Sequence, residues 1–163
     1  MLASTGAYHA GYIVANSEES TGMSACLPCD LEDAAAAAII FRHDVWSCEI
    51  ADGYDVPGWY ILRLRRHAEG WSGPTPEELA TFGTASQQLA GAIQAATGAP
   101  TVYFMSFGEN YPHFHFLVIA RESELPAESR GAAILTRRAE HRDMAESLRV
   151  GDQVRSAFAA SPR

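Results

Sequence analysis

The chain has 163 residues, a length that suits one hydrophobic core. Hydrophobic residues make up 47% and charged residues 20%, values near the globular average, so disorder of the whole chain is not indicated. A net charge of -8 argues against a broad nucleic-acid surface, and no apolar run reaches the ~20 residues that a membrane span requires.

Residues 1 to 24 are rich in Ser, Gly, Ala and Glu without sustained periodicity. They read as a flexible N-terminal extension ahead of a single domain over residues 25 to 163, with at most a weak edge strand around Ala7-Tyr8-His9 and Gly11-Tyr12-Ile13-Val14. The start of the chain lacks the basic and apolar regions of a secretory signal, and three cysteines are too few and too odd for a disulfide framework. A reduced, cytoplasmic protein is the expectation.

Ala37 to Arg42 and Val45 to Ile50 carry the β-branched and aromatic enrichment of two short strands, joined at a His43-Asp44 turn. Asp52-Gly53 and Pro57-Gly58 supply turn chemistry before Trp59 to Arg66. There, alternation of Leu with Arg marks a third strand with one wet face, ending at His67. Thr75 is a good N-cap, Pro76 suits the first turn, and Glu77 and Glu78 meet the positive end of the helix dipole. The spacing of Leu79, Phe82, Leu89 and Ile93 predicts one long helix that stops at Gly98 and Pro100. Strands over Val102 to Phe107 and Phe114 to Ile119 follow, separated by a turn from Gly108 to Pro112. The tail after Pro126 reads as two helical pieces, near Arg138 to Arg149 and Asp152 to Ala160, with Gly151 between them.

Cys26-Leu27-Pro28-Cys29 has the C-x₂-C spacing that lets two thiolates clasp one tetrahedral metal, although two further ligands are needed. The same pair suits buried free thiols or a redox couple, but no thioredoxin-like βαβ pattern follows it. Cys48, in mid-strand, reads as a small core residue. Arg63, Arg65, Arg66 and Arg121 can form a local anion site, or can be solvated strand ends. On a strand, residues at i and i+2 share a face, so His113 and His115 are neighbours about 6 to 7 Å apart.

In order, Cys26-x-x-Cys29, Pro57-Gly58-Trp59 leading to Arg66-His67, Gly108-Glu109 and His113-Phe114-His115-Phe116-Leu117 resemble the zinc-containing, bacterial HIT-like branch of the histidine-triad superfamily. The family strand reads H-x-H-x-H-x-x-P-R, which appears here as His113, His115, Leu117, Ala120 and Arg121. The similarity runs from about Cys26 to Gly131 and includes Leu125-Pro126 and Arg130-Gly131.

The resemblance implies an α+β, HIT-like fold: about five antiparallel strands, one long helix, a helical C-terminal tail and a homodimer. It gives His115 the role of a nucleophile that attacks the α-phosphate of a nucleotide conjugate, with His113 beside it in the catalytic strand. It assigns a structural Zn²⁺ to Cys26, Cys29, His67 and His113. Arg121, Glu109, Asn110, Trp46 and Asp44 are its candidates for nucleotide or phosphate binding, although an ordinary turn explains Glu109 and Asn110 as well and Trp46 reads equally as core. Family members carry histidine or glutamine where this chain has Leu117, which has no hydrogen-bonding atom. Two functional expectations follow: a hydrolase or transferase acting on a nucleotide phosphoanhydride or phosphoramidate, such as a dinucleoside polyphosphate or adenylylated small molecule; or an altered scaffold that binds nucleotide without cleaving it, or runs a redirected reaction in a specialised pathway.

Overall fold

Five short strands, each too narrow to stand alone, join into one antiparallel sheet in the order β1-β2-β3-β5-β4 in the computed structural model, which describes residues 26–161. The strands are β1 (Ile39–Arg42), β2 (Trp46–Glu49), β3 (Trp59–Leu64), β4 (Thr101–Met105) and β5 (His115–Arg121). Helix α1 is a single turn over Leu27–Asp30, α2 spans Pro76–Thr97 and α3 spans Met144–Ala160. The extension read over residues 1 to 24, with its candidate edge strand, lies outside the described residues.

Alternation along the strands separates two cores. Even-numbered side chains of β3 and β5, among them Tyr60, Leu62, Phe116 and Val118, meet Leu89 and Ile93 of α2 and Val154 of α3. Odd-numbered ones, Trp59, Ile61, Leu117 and Ile119, pack beneath Leu31, Val56, Leu125 and Ile134. Both faces of the central strands are therefore covered. Register pairing sets Arg63 opposite His115 and Ile61 opposite Leu117, with Met105 of β4 on the other side of Leu117.

Covering both faces corrects the expected wet side of β3. Arg63 is 0% exposed, as is its partner Glu49. Arg63 Nη2 and Nε donate to the two Glu49 carboxylate oxygens at 3.0 and 3.2 Å. Glu49 also accepts from Arg42 at 3.0 Å and from Ser47, and Arg63 and Arg65 both reach Glu32. A guanidinium can leave water here because its fork meets carboxylates already held by other donors.

Helix α2 begins as its sequence predicts. The Thr75 hydroxyl accepts from the Glu78 amide, the Glu78 carboxylate accepts from the Thr75 amide at 2.8 Å, and Pro76 opens the helix. The tail differs from expectation. Residues Gly131–Arg137 form a 3₁₀ stretch, and α3 is one continuous helix through Gly151. The reason is packing: a Cβ at Gly151 would stand 2.7 Å from Ile50 Cδ1, so glycine lets α3 lie on the sheet. No helix among the described residues is long and apolar enough to cross a membrane.

Candidate functional site

Two adjoining sites are built at the end of the sheet where β3 finishes and β5 begins. Backbone pairing continues past both strand ends, with Phe114 N donating to Ala68 O at 2.7 Å and Gly70 N to Pro112 O at 2.9 Å. This extension brings His67 and His113 together, their ring centroids 5.0 Å apart. From the other direction, the Cys26 carbonyl accepts the amides of Cys29 and Asp30, which winds the C-x₂-C into one turn.

The four expected ligand residues converge. Cys29 Sγ lies 3.3 Å from the Nδ1 of both His67 and His113, and Cys26 Sγ lies 3.7 and 3.4 Å from the same atoms. All four ligand atoms fall within 4.8 Å of one another. Zinc bonds of about 2.3 Å to sulfur and 2.0 Å to nitrogen require tetrahedral S···N edges of about 3.5 Å, so the donor set fits that ion. The outer nitrogens are committed as well: His113 Nε2 donates to Leu64 O at 2.7 Å, and His67 Nε2 faces the Glu69 carboxylate at 3.3 Å. Such partners turn the Nδ1 lone pairs toward the thiols. Burial holds the His113 imidazole toward its neutral form, the form that can ligate. Burial, then the Cys26 thiol, pushes Cys29 up to about 11; a bound cation opposes that shift by favouring thiolate.

His115 stands beside this cluster on β5. Its Nδ1 lies 2.6 Å from the His113 carbonyl oxygen, so Nδ1 carries the proton and Nε2 keeps its lone pair. The ring lines a cleft of about 290 Å³. Leu117, Ile61 and Met105 form an apolar floor, Leu27 and Pro28 of α1 one wall, and the Phe107 to Tyr111 loop another. Gly108 takes φ +71° in that loop, a left-handed conformation that suits glycine.

Glu109 and Asn110 line the cleft with His115. Three other candidates for nucleotide contact do not. Arg121 ends β5, roughly 20 Å along the strand from His115, and its guanidinium donates to Glu122 O and Thr101 Oγ1 beside a separate groove. Trp46 is 1% exposed beneath α2, donating to Thr81 Oγ1 at 2.8 Å, because its even position on β2 turns it to the helical side. Asp44 is exposed in the β1–β2 turn, outside the cleft lining. Of the two readings open for Arg63, Arg65 and Arg66, neither a shared anion site nor free solvation describes them, since the first two are bound to Glu49 and Glu32 and the third to Glu78. Cys48 is a buried thiol whose ionisation burial pushes well up, in keeping with a core role.

Tyr54 and Arg138 line the cleft too, with the guanidinium carbon 4.6 Å above the Tyr54 ring centroid. Neither stands out in the sequence. Both come from segments without strong periodicity, and no local pattern links residues so distant along the chain.

No protein-family model and no curated protein matches the sequence. Solved structures do resemble it. A zinc-bound histidine triad family protein from Mycobacterium smegmatis is similar at 18% identity and TM-score 0.59, over 82% of this chain and 93% of that one. A hypothetical histidine triad nucleotide-binding protein from Sulfolobus tokodaii gives 13% identity and TM-score 0.64, over 82% and 92%. A Plasmodium falciparum diadenosine triphosphate hydrolase gives 9% identity and TM-score 0.57, over 77% and 79%. At these identities the likeness establishes the fold: a five-stranded antiparallel α+β architecture of the histidine-triad type.

Proposed function

We propose that the chain processes nucleotides in the manner of histidine-triad proteins, with a nucleotide or nucleotide conjugate in the cleft and His115 as nucleophile. The observation that carries this reading is the fixed tautomer of His115, whose Nδ1 is tied to a backbone carbonyl while its ring lines the cleft. In the reaction, Nε2 attacks the α-phosphorus and forms a P–N bond as the bond to the leaving group breaks. The leaving group departs with the electron pair and takes a proton from solvent. Water then attacks phosphorus, the P–N bond breaks with its electron pair returning to Nε2, and the proton lost by the water passes to solvent, which leaves the imidazole neutral. Support from the neighbours is a nucleotide-binding protein and a diadenosine triphosphate hydrolase with this fold.

Leu117 limits the chemistry. It is 7% exposed and offers no hydrogen bond to a phosphate oxygen or leaving group. Loss of one such donor slows acyl or phosphoryl chemistry by ~10²- to 10³-fold. The second reading, a scaffold that binds nucleotide without cleaving it or turns over a different substrate, is favoured by the continuous apolar floor of Ile61, Leu117 and Met105.

Zinc is the metal we assign to Cys26, Cys29, His67 and His113, in a structural role because four protein ligands close its coordination sphere. When bound, it would tie α1 to the ends of β3 and β5. A cytoplasmic homodimer, joined along α2 and a sheet edge such as β4, completes the proposal; sedimentation at two concentrations tests the assembly.

Incubation with adenosine phosphoramidate and diadenosine polyphosphates, beside His115→Ala, tests the enzyme. Slow turnover that disappears in His115→Ala is the expected result, and equal turnover in both samples rules out His115. Binding of intact nucleotide without turnover, with hydrolysis gained in Leu117→His, would select the second reading.

A further inference from the structure

The chain carries twelve basic residues, all arginine. Eleven are among the described residues, and ten of those set their guanidinium on an oxygen. Arg137 meets Glu122, Arg142 meets Asp55, Arg155 caps the carbonyl of Ile39, and the strand arginines meet Glu49 and Glu32. Arg138 is the exception among the described residues: its guanidinium lies over the Tyr54 ring and no hydrogen bond or ion pair engages its N–H groups. It is also the arginine that lines the cleft with His115.

A guanidinium held over a ring face is attracted by the ring's quadrupole and not through hydrogen bonds to oxygen, so its N–H donors remain available to a second partner. The platform is well supported. Ile134, 4% exposed in the core that holds Leu117, anchors the 3₁₀ stretch that precedes Arg138, and Arg137 faces Glu122 at 3.7 Å. The cleft floor of Leu117, Ile61 and Met105 offers no polar side-chain partner of comparable strength.

The geometry points to Arg138 as the anion-binding residue of the cleft, holding a phosphate or carboxylate oxyanion of a ligand whose apolar or aromatic body rests on the Leu117 floor. This assignment rests on the reading of the His115 cleft as the substrate site, and it supplies the positive charge that Arg63, Arg65, Arg66 and Arg121 do not bring there. A planar guanidinium fork donates to two oxygens of either oxyanion, so phosphate and carboxylate are the shared chemistry.

Calorimetric titration of the full chain and of Arg138→Met and Arg138→Lys tests it, using AMP, adenosine, phenyl phosphate and benzoate. Arg138 is exposed, and circular dichroism verifies that both variants fold. Arg138→Met should weaken AMP and at least one aryl anion on the order of ten- to a hundred-fold, with adenosine unchanged, and Arg138→Lys should fall between because it keeps charge without the fork. Whichever of phenyl phosphate and benzoate loses more identifies the preferred oxyanion. If aryl anions bind through Arg138 while AMP does not bind, the assignment stands and the nucleotide reading falls. AMP bound equally by parent and Arg138→Met overturns the assignment and leaves the nucleotide reading in place. A parent that binds none of the anions overturns it as well.

Discussion

The Nδ1 atom of His115 lies 2.6 Å from the carbonyl oxygen of His113, whose own Nδ1 lies within 3.4 Å of both Cys26 and Cys29 sulfurs. One stretch of backbone thus joins the thiol and imidazole cluster to the ring that faces the cleft. Helix α1 makes a second connection, because Cys26 and Cys29 face the cluster while Leu27 and Pro28 line the cleft. Anything that moves the cluster should therefore be felt by His115.

Purified protein should carry about one zinc per chain, and Cys29→Ser or His67→Ala should abolish it. Metal analysis alongside thermal denaturation checks this. Chelation should lower the midpoint of unfolding, whereas a metal-free protein with unchanged stability would remove the structural ion from the account.

The buried Arg63–Glu49 pair should be costly to break from one side. Arg63→Ala leaves Glu49 in a site closed to water with Arg42 and Ser47 as its remaining partners, and breaking a buried pair from one side costs up to about 3 to 5 kcal/mol. The double substitution Arg63→Met with Glu49→Leu should recover much of that cost, since it removes both charges together. Urea denaturation measures each; a single-variant loss under about 1 kcal/mol would contradict a dry pair.

Acid should weaken the clamp on the 3₁₀ turn Leu31–Asp33 that follows α1. Hydrogen bonds from Arg65 and then Arg63 lower Glu32 from 4.5 to about 2. A depressed folded-state value means that the unfolded chain binds the proton more readily, so this contribution is present above pH 4.5 and is lost as pH falls toward 2. Glu32→Gln should flatten the acid slope of stability in that window. The carboxylate is 40% exposed, so solvent and added salt shrink the effect. An acid slope identical in parent and variant would contradict the coupling.

Gly151→Ala tests the seat of α3. The new methyl meets the Ile50 Cδ1 methyl at a distance no relaxed contact adopts, so the Ile50 side chain must turn within a packed core, at a cost of about 1 kcal/mol net of alanine's better helix propensity. A stabilised variant, seen as a higher denaturation midpoint, would mean that the Ile50 methyl turns aside freely.

Local chemistry made much of this fold legible in the sequence. Thr75, Pro76 and Glu78 act within one helical turn, and the alternation of β3 and β5 states which residues share a face. The grouping of Cys26, Cys29, His67 and His113 was legible only through family resemblance, since spacing alone supplied the two thiols. What failed depended on distant partners. Arg63 looked solvated because nothing near it announces that Glu49 and Glu32 arrive to neutralise it. Arg121 is a candidate for the cleft, yet its strand position carries it to the far end of β5, and of the two readings open for Trp46 the core one holds, beneath α2. Gly151 looked like a helix break because its packing duty toward Ile50 cannot be read from neighbours in sequence. Arg138 carries no local signal because Tyr54, over which it lies, comes from a distant segment.

Intact-mass analysis of the protein quenched during reaction with adenosine phosphoramidate, followed by peptide mapping, tests the nucleophilic role of His115 most directly. A nucleotidyl adduct on His115, absent from His115→Ala and turned over faster in Leu117→His, is the expected result. Product formed at the same rate by His115→Ala, or an adduct on another residue, would contradict that role.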